Sequence, residues 1–212
     1  IQKNMSIKLN GGLTIGGMSP TRVNCNVGCN SLLDYPSELS KLRQIKDNGE
    51  LPDMMMDLSL IDTEKPLYLA IRDELRLPFG TVLSYHGFNK SNGLSWGKTK
   101  VELIRLCNDG VSFLTVHFTS DLDLFQDAKS TRRVPMTSRG GGIVLYDSVR
   151  NGRTENLFLK HIDEIAEIAL AYDVVISLGT TFRPATIFDA CDKIHLEETR
   201  RQLKICMYLQ GK

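Results

Sequence analysis

The sequence lacks a long apolar run and a charge excess of either sign. No stretch approaches the ~20 apolar residues that a membrane-spanning helix needs, and no secretory signal opens the chain. The 26 basic and 25 acidic residues leave a net charge of +1, which argues against a protein that binds nucleic acids or membrane surfaces. The 212 residues are 42% apolar, so one domain of ordinary size with a real core is expected.

The cysteines show no spacing typical of a disulfide framework, and their number, five, is odd. Reduced thiols in a cytosolic protein are therefore expected. Cys25 and Cys29 match the first half of a Cys-x3-Cys-x2-Cys iron–sulfur motif, but Leu32 stands at the third position. Both are predicted to be buried structural cysteines. No cluster of His, Cys, Asp and Glu has metal spacing, so no metal site is predicted within this chain.

Short apolar runs alternate with helical patterns along most of the chain. Residues 1–20 predict a β-hairpin, because two short apolar stretches flank Asn10-Gly11-Gly12. Helical spacing follows near residues 37–47, 65–75, 98–108, 158–169 and 189–208. Six apolar runs predict strands at Arg22–Val27, Met54–Ser59, Gly80–Tyr85, Phe113–Phe118, Val134–Ser138 and Val174–Gly179.

Six strand–helix units with nearly continuous apolar strands predict an α/β fold with a parallel sheet. Each strand ends in polar or small residues. Polar endings on all six strands favour a (β/α)8 TIM-type barrel, whose strand ends meet at one mouth, over an open doubly wound sheet. The expected organisation is a lead-in hairpin over residues 1–20 and a partial barrel over residues 21–212, with about six of eight units.

The glycine-rich stretch Met136–Gly142 is the first candidate site. Consecutive glycines leave backbone N–H groups accessible to an anion, and Arg139 adds a planar donor fork. A flexible surface turn is the alternative interpretation. Arg183, at the next strand end, completes a possible phosphate clamp, to which Ser138, Tyr85 and Asn26 would add neutral donors and acceptors.

Other residues at strand ends allow two interpretations each. His117 is either a satisfied core histidine or a group that binds a ligand, a metal or a proton. Met56 is a core residue by default. Asn24 and Asn26 share one face of a strand, and paired amides that point inward need partners. The set lacks a nucleophile or an acid–base pair, so it predicts a positioning site that relies on a cofactor.

Several linked motifs resemble one known family, in its order and spacing. They are Asn24–Gly28, Met56–Ser59, Gly80–Val82, Thr115–His117, Ser138–Gly141, Ser177–Pro184, Phe188–Ala190 and Glu155–Val174. Over about residues 21–205 the chain is similar to the ThiC family of radical S-adenosylmethionine enzymes. These are the 4-amino-5-hydroxymethyl-2-methylpyrimidine phosphate synthases of thiamine biosynthesis.

The resemblance implies a carbon–carbon lyase that rearranges 5-aminoimidazole ribonucleotide. It further implies a (β/α)8 barrel, S-adenosylmethionine, a [4Fe-4S] cluster and a divalent metal (Zn or Fe), with the cluster and metal ligands outside this chain. A cytoplasmic homodimer is expected, without nucleic acid or membrane partners. By resemblance, the substrate-binding residues are Asn26, Met56, Tyr85, His117, Ser138, Arg139, Gly140 and Arg183.

Two departures from the family leave alternatives open. Thr180 and Thr181 replace the usual Asp-Gly, so a 5-hydroxybenzimidazole synthase, which uses the same ribonucleotide, is the second hypothesis. The family's Cys-x2-Cys-x4-Cys motif, its second metal histidine and strands seven and eight do not occur within the 212 residues. We therefore expect a fragment, or a chain completed by a partner, that is inactive alone. A catalytically dead ribonucleotide-binding paralogue is the third hypothesis.

Overall fold

Strands and helices alternate through the computed structural model, which describes residues 5–61 and 63–212. The strands in these ranges are β1 (Ser6–Lys8), β2 (Thr14–Gly16), β3 (Asn24–Val27), β4 (Met54–Asp57), β5 (Phe79–Val82), β6 (Phe88–Asn89), β7 (Gly93–Leu94), β8 (Phe113–Val116) and β9 (Val175–Leu178). The helices are α1 (Tyr35–Asp47), α2 (Leu67–Ala70), α3 (Trp96–Asn108), α4 (Leu122–Thr131), α5 (Arg139–Arg150), α6 (Leu157–Lys160), α7 (Ile162–Ala171) and α8 (Lys193–Gln210). A π-helical turn spans Ile71–Leu75.

The main sheet has five parallel strands in the order β3-β4-β5-β8-β9. Every residue of β5 is buried, and Met55 in β4 is fully buried. Strands of this kind are typical of a parallel sheet that is covered on both faces. Gly80 of β5 is required by packing, because a Cβ there would lie 2.2 Å from the ring of Phe113. The predicted α/β class with a parallel sheet is therefore confirmed.

Two strands form the edges of the sheet over the part of the chain that the structure describes. In β3, Asn24, Cys25 and Asn26 are exposed, and in β9 Ser177 is exposed. Five strands in this order are compatible with part of a barrel, and the closed eight-unit barrel stays a prediction. The position of Cys25 on the edge also shows that its predicted burial was wrong, whereas Cys29 is buried as predicted.

The predicted strand Val134–Ser138 was wrong, because this segment is irregular and β8 lies directly beside β9. Pro135 has no N–H to donate to a strand ladder. Ser138 instead begins α5, since its Oγ accepts a hydrogen bond from the Gly141 N–H at 3.1 Å. Residues 134–138 therefore form an irregular segment that leads into α5.

The predicted helices near 37–47, 98–108 and 189–208 are confirmed as α1, α3 and α8. The pattern at 65–75 is divided between α2 and the π-helical turn, which ends at Arg76 in the left-handed conformation (φ 59°). The pattern at 158–169 is divided between α6 and α7, with His161 at the break. Helices α4 and α5 were not predicted, and none of the described helices is long and apolar enough to cross a membrane.

The predicted hairpin is formed by β1 and β2, with Ile7 opposite Ile15. Residues 1–4 of the predicted lead-in lie outside the described residues, and the boundary at residue 20 stays a prediction. The Nδ2 of Asn10 in the hairpin turn donates to the carbonyls of Val111 (3.0 Å) and Tyr172 (3.1 Å). Its turn is thereby fixed to the chain just before β8 and β9.

The chain divides into two compact units. The first runs up to Val82 and includes Arg105–Leu114 and Ala171–Ile176; its core contains Tyr68 stacked on Phe79 with ring centroids 5.0 Å apart. The second unit consists of Leu83–Ile104, Thr115–Leu170 and Ser177–Lys212. Its apolar core is formed by Leu124, Ala128, Leu145, Phe182 and Ile194.

Candidate functional site

The amino end of α5 is the centre of the candidate site in the second unit. Gly140 and Gly141 lie buried in its first turn, and Arg139 is exposed. The first N–H groups of a helix have no partner within the helix, and the helix dipole favours an anion at this end. The glycines therefore do not form a flexible surface turn but the start of a helix with the geometry of an anion site.

Close packing explains why glycine occupies position 141. A Cβ there would lie 2.3 Å from the Oγ1 and 2.7 Å from the Cβ of Thr181, which is too close for a short, buried side chain to relieve. A Cβ at Gly142 would meet only the terminal methyl of Met136, which can move aside. A tertiary contact therefore selects glycine at position 141 in spite of its low helix propensity.

We expect Gly141→Ala to lower the free energy of unfolding by about 1–3 kcal/mol, because the added methyl overpacks the contact with Thr181. Thr181→Gly should relieve much of this loss in the double variant. Urea unfolding of the four proteins measures the coupling. Gly97→Ala is the matched control, since nothing lies within 4 Å of a Cβ at that helical position. Equal losses for Gly141→Ala and Gly97→Ala would contradict the packing argument.

His117 lies beside the helix start and is 4% exposed. Its Nε2 lies 2.9 Å from the Oγ of Ser138, and a Cβ at Gly179 would lie 2.7 Å from the same nitrogen. Burial, and then the charge of Arg183, lower the pKa of His117 from 6.5 to about 4. The ring is therefore neutral near pH 7. Its Nδ1 has no hydrogen-bond partner among the described residues, so His117 is not a fully satisfied core histidine.

The charges of Arg139 and Arg183 both influence the pKa of the same side chain, that of Tyr85. Burial raises the pKa of the Tyr85 phenol, and the charges of Arg139 and Arg183 oppose that rise. Both arginines are exposed. The neighbouring Ser84 Oγ donates to the carbonyl of Gly140 at 3.1 Å. The structure therefore brings six predicted site residues together in the second unit: Tyr85, His117, Ser138, Arg139, Gly140 and Arg183.

The other two predicted site residues lie in the first unit. Asn26 of β3 is paired in register with Met56 of β4. Asn26 is exposed, and its Oδ1 accepts a hydrogen bond from the Nδ2 of Asn24 at 3.0 Å. The predicted common face of the two asparagines is confirmed, and they partner each other. Met56 is 8% exposed, which agrees with its interpretation as a core residue.

Sequence reasoning missed the buried polar side chains behind the site. Glu198 is 1% exposed and Arg132 is 5% exposed, although both residue types are usually found on the surface. Glu198 stands among charged residues of α8, a pattern typical of a solvent-facing helix surface. Arg132 stands next to Arg133, and a pair of arginines gives no indication in the sequence that one of them is buried.

The described residues do not fit an iron–sulfur cluster or a catalytic metal. Residues 5–61 and 63–212 contain no group of three or more His, Cys, Asp and Glu side chains that could hold a metal ion. All five cysteines are free, and two of them, Cys25 and Cys191, are exposed. The chemistry that this arrangement supports is anion binding and ligand positioning.

A helix N-terminus flanked by two arginines is an arrangement suited to binding a phosphate group. The chain belongs to the Radical SAM ThiC family, whose sequence model matches residues 1–208. This confirms the resemblance described above.

The chain is similar to several curated phosphomethylpyrimidine synthases. The enzyme of Pyrobaculum aerophilum is 33% identical over 196 residues, which cover 88% of this chain and 44% of that protein. The enzyme of Ignicoccus hospitalis is 35% identical over 196 residues, with the same coverage. That of Desulforamulus reducens is 33% identical over 187 residues, which cover 84% of this chain and 43% of that protein. The chain thus spans less than half the length of these relatives.

Proposed function

We propose that this chain is the ribonucleotide-binding part of a phosphomethylpyrimidine synthase. Such an enzyme is a lyase that converts 5-aminoimidazole ribonucleotide to 4-amino-5-hydroxymethyl-2-methylpyrimidine phosphate in thiamine biosynthesis. Membership in the Radical SAM ThiC family and the names of the curated relatives support this proposal. Because the described residues contain no group of three or more His, Cys, Asp and Glu side chains that could hold a metal, the proposal assigns them binding and orientation of the substrate, and not radical formation.

The observation that carries the proposal is the amino end of α5 with Arg139 in its first turn and Arg183 nearby. A phosphate dianion is stabilised by N–H groups at a helix N-terminus and by the helix dipole. Guanidinium groups add planar, charge-assisted hydrogen bonds. Gly140, which has no Cβ, leaves the backbone open to close approach. The ribonucleotide's phosphate would therefore bind here.

His117 and Tyr85 would bind the neutral part of the same ligand. A buried ring nitrogen without a partner costs free energy, and the Nδ1 of His117 is such an atom among the described residues. A hydroxyl or amino group of the ligand would satisfy it. The raised pKa of Tyr85 keeps the phenol protonated, so it acts as a neutral donor or acceptor. Neither side chain is assigned a proton transfer.

The names of the relatives favour the pyrimidine product over 5-hydroxybenzimidazole. The side chain of Thr181, one of the two residues that replace Asp-Gly, points to Ser120, with the two hydroxyl oxygens 2.6 Å apart. Product analysis by mass spectrometry of the complete enzyme distinguishes the two reactions.

The homodimer, the cytoplasmic location, the role of S-adenosylmethionine and the roles of Asn26 and Met56 stay predictions.

We expect Arg139→Ala and Arg183→Ala each to weaken binding of 5-aminoimidazole ribonucleotide by about 10–100-fold, since each removes charge-assisted hydrogen bonds to phosphate. Isothermal titration calorimetry measures the dissociation constants. Arg200→Ala is the matched control, because Arg200 is an exposed arginine of the same unit that pairs with Glu197 at 3.4 Å. Unchanged affinity in both site variants, or no binding by the wild-type chain, would refute the proposed function.

A further inference from the structure

The turn that leads to Arg183 is fixed by hydrogen bonds to the buried carboxylate of Glu198. One oxygen of Glu198 accepts hydrogen bonds from the Thr181 N–H (2.6 Å) and the Thr119 hydroxyl (2.9 Å). The other oxygen accepts from the Phe182 N–H at 2.8 Å. Burial raises the pKa of Glu198, while these three donors and the charge of Arg132 oppose the rise. Glu198 thus satisfies two consecutive backbone N–H groups.

Arg132, whose side chain is fully buried, makes a further hydrogen bond to the same turn. Its Nη1 donates to the carbonyl of Phe182 at 2.6 Å. Its Nε and Nη2 donate to the two carboxylate oxygens of Asp192 at 2.7 and 2.6 Å, a planar arrangement with two parallel hydrogen bonds. Phe182 is therefore bound through its N–H, its carbonyl and its buried ring.

Thr181 connects this turn to the amino end of α5. Its hydroxyl oxygen lies 2.6 Å from the Oγ of Ser120, and its side chain fills the space next to Gly141. The position of Thr181 therefore sets the position of the following residues relative to the helix start. Arg183 is two residues further along, and Arg139 lies in the first turn of the helix.

We propose that Glu198 is a positioning residue that holds the turn Gly179–Arg183 against α5, so that Arg183 and Arg139 bind one phosphate together. This inference rests on the proposed function. Glu198 itself makes no contact with the ligand and acts through Arg183. A carboxylate suits the task because its two oxygens accept all three hydrogen bonds, whereas an amide offers only one acceptor oxygen.

A double-variant cycle with Glu198→Gln and Arg183→Ala tests the inference, with 5-aminoimidazole ribonucleotide as the ligand in calorimetry. Glu198→Gln is expected to weaken binding about 10-fold in the wild-type background. In the Arg183→Ala background it should change binding by less than about 2-fold, since the group that it positions is gone. Glu197→Gln, one residue away on α8 with a half-buried carboxylate that pairs with Arg200 and Arg201, is the matched control. A loss that is merely structural would persist in both backgrounds.

Ribonucleoside without phosphate provides a second readout. Its affinity is expected to be equal in the wild-type and Glu198→Gln chains. If Glu198→Gln does not fold, Thr119→Val removes one of the three donors and takes its place in the cycle. Losses that are additive with Arg183→Ala overturn the positioning role and leave the proposed function intact. If the wild-type chain does not bind the ribonucleotide, both proposals are wrong.

Discussion

Replacing Asp147 by alanine is expected to lower the free energy of unfolding by about 3 kcal/mol, the largest loss expected from any single substitution considered. Its side chain is fully buried in α5. The carboxylate accepts hydrogen bonds from the Leu94 N–H (2.8 Å), the Asn151 Nδ2 (2.6 Å) and the Arg153 Nε (2.7 Å). Removing it leaves a buried backbone N–H and a guanidinium without their acceptor.

Urea unfolding followed by circular dichroism measures this effect. Asp127→Ala is the control, because Asp127 is an exposed aspartate of the same unit that pairs with Lys193 at 3.4 Å. An exposed pair of this kind contributes about 0–1 kcal/mol. Asp147→Asn should lie between the two, since one oxygen can still accept from Leu94. If Asp147→Ala and Asp127→Ala lose equal stability, the buried network does not stabilise the fold as argued.

Lowering the pH from 6.5 to 4 is expected to cost the fold roughly 3 kcal/mol through His117 alone. The pKa of His117 is about 4 in the folded chain, against 6.5 for an ordinary histidine. Between these values the unfolded chain binds the proton and the folded chain does not. The stability due to the neutral ring is therefore complete above pH 6.5, falls as the pH falls, and changes no further below about pH 4.

Unfolding free energies at several pH values between 4 and 7.5 test this. Other groups also titrate in this range, so the measured quantity is the difference in slope between wild type and His117→Gln. His195→Gln serves as the control for loss of a histidine elsewhere in the second unit. Parallel curves for wild type and His117→Gln would show that His117 does not titrate with a lowered pKa.

The inner strands of the main sheet were predictable because apolar and small residues dominate them. Met54–Asp57 begins with three methionines, and Phe79–Val82 combines two apolar residues with the small Gly80 and Thr81, a composition that suits burial on both faces. Val134–Ser138 has a similar short run but is not a strand. Pro135 and the capping role of Ser138 are local features that overrule the apolar pattern.

Helix α5 was missed because three glycines stand in its first turn, and glycine is a poor helix former. What selects glycine at position 141 is its contact with Thr181, which lies 40 positions away in the sequence. Contacts of this range leave no periodic signal. Arg139 was identified because it stands beside consecutive glycines, and His117 because it ends an apolar strand. Glu198, in a helix rich in charged residues, offers no such signal.

The first compact unit is assembled from three separate stretches of chain, the last of which is Ala171–Ile176. A ribosome that has just finished Val82 must add the residues up to 176 before this unit can be completed. At about 5–20 residues per second this takes on the order of 5–20 s. Strand β5 lacks its neighbour β8 at first, and β8 then lacks β9, whereas β4 already has β3 and β5 beside it. A chaperone that binds the nascent chain early would protect the apolar strands that still lack a neighbour from aggregation. Because the first unit is made of three separate stretches, no single continuous segment of the gene encodes it alone.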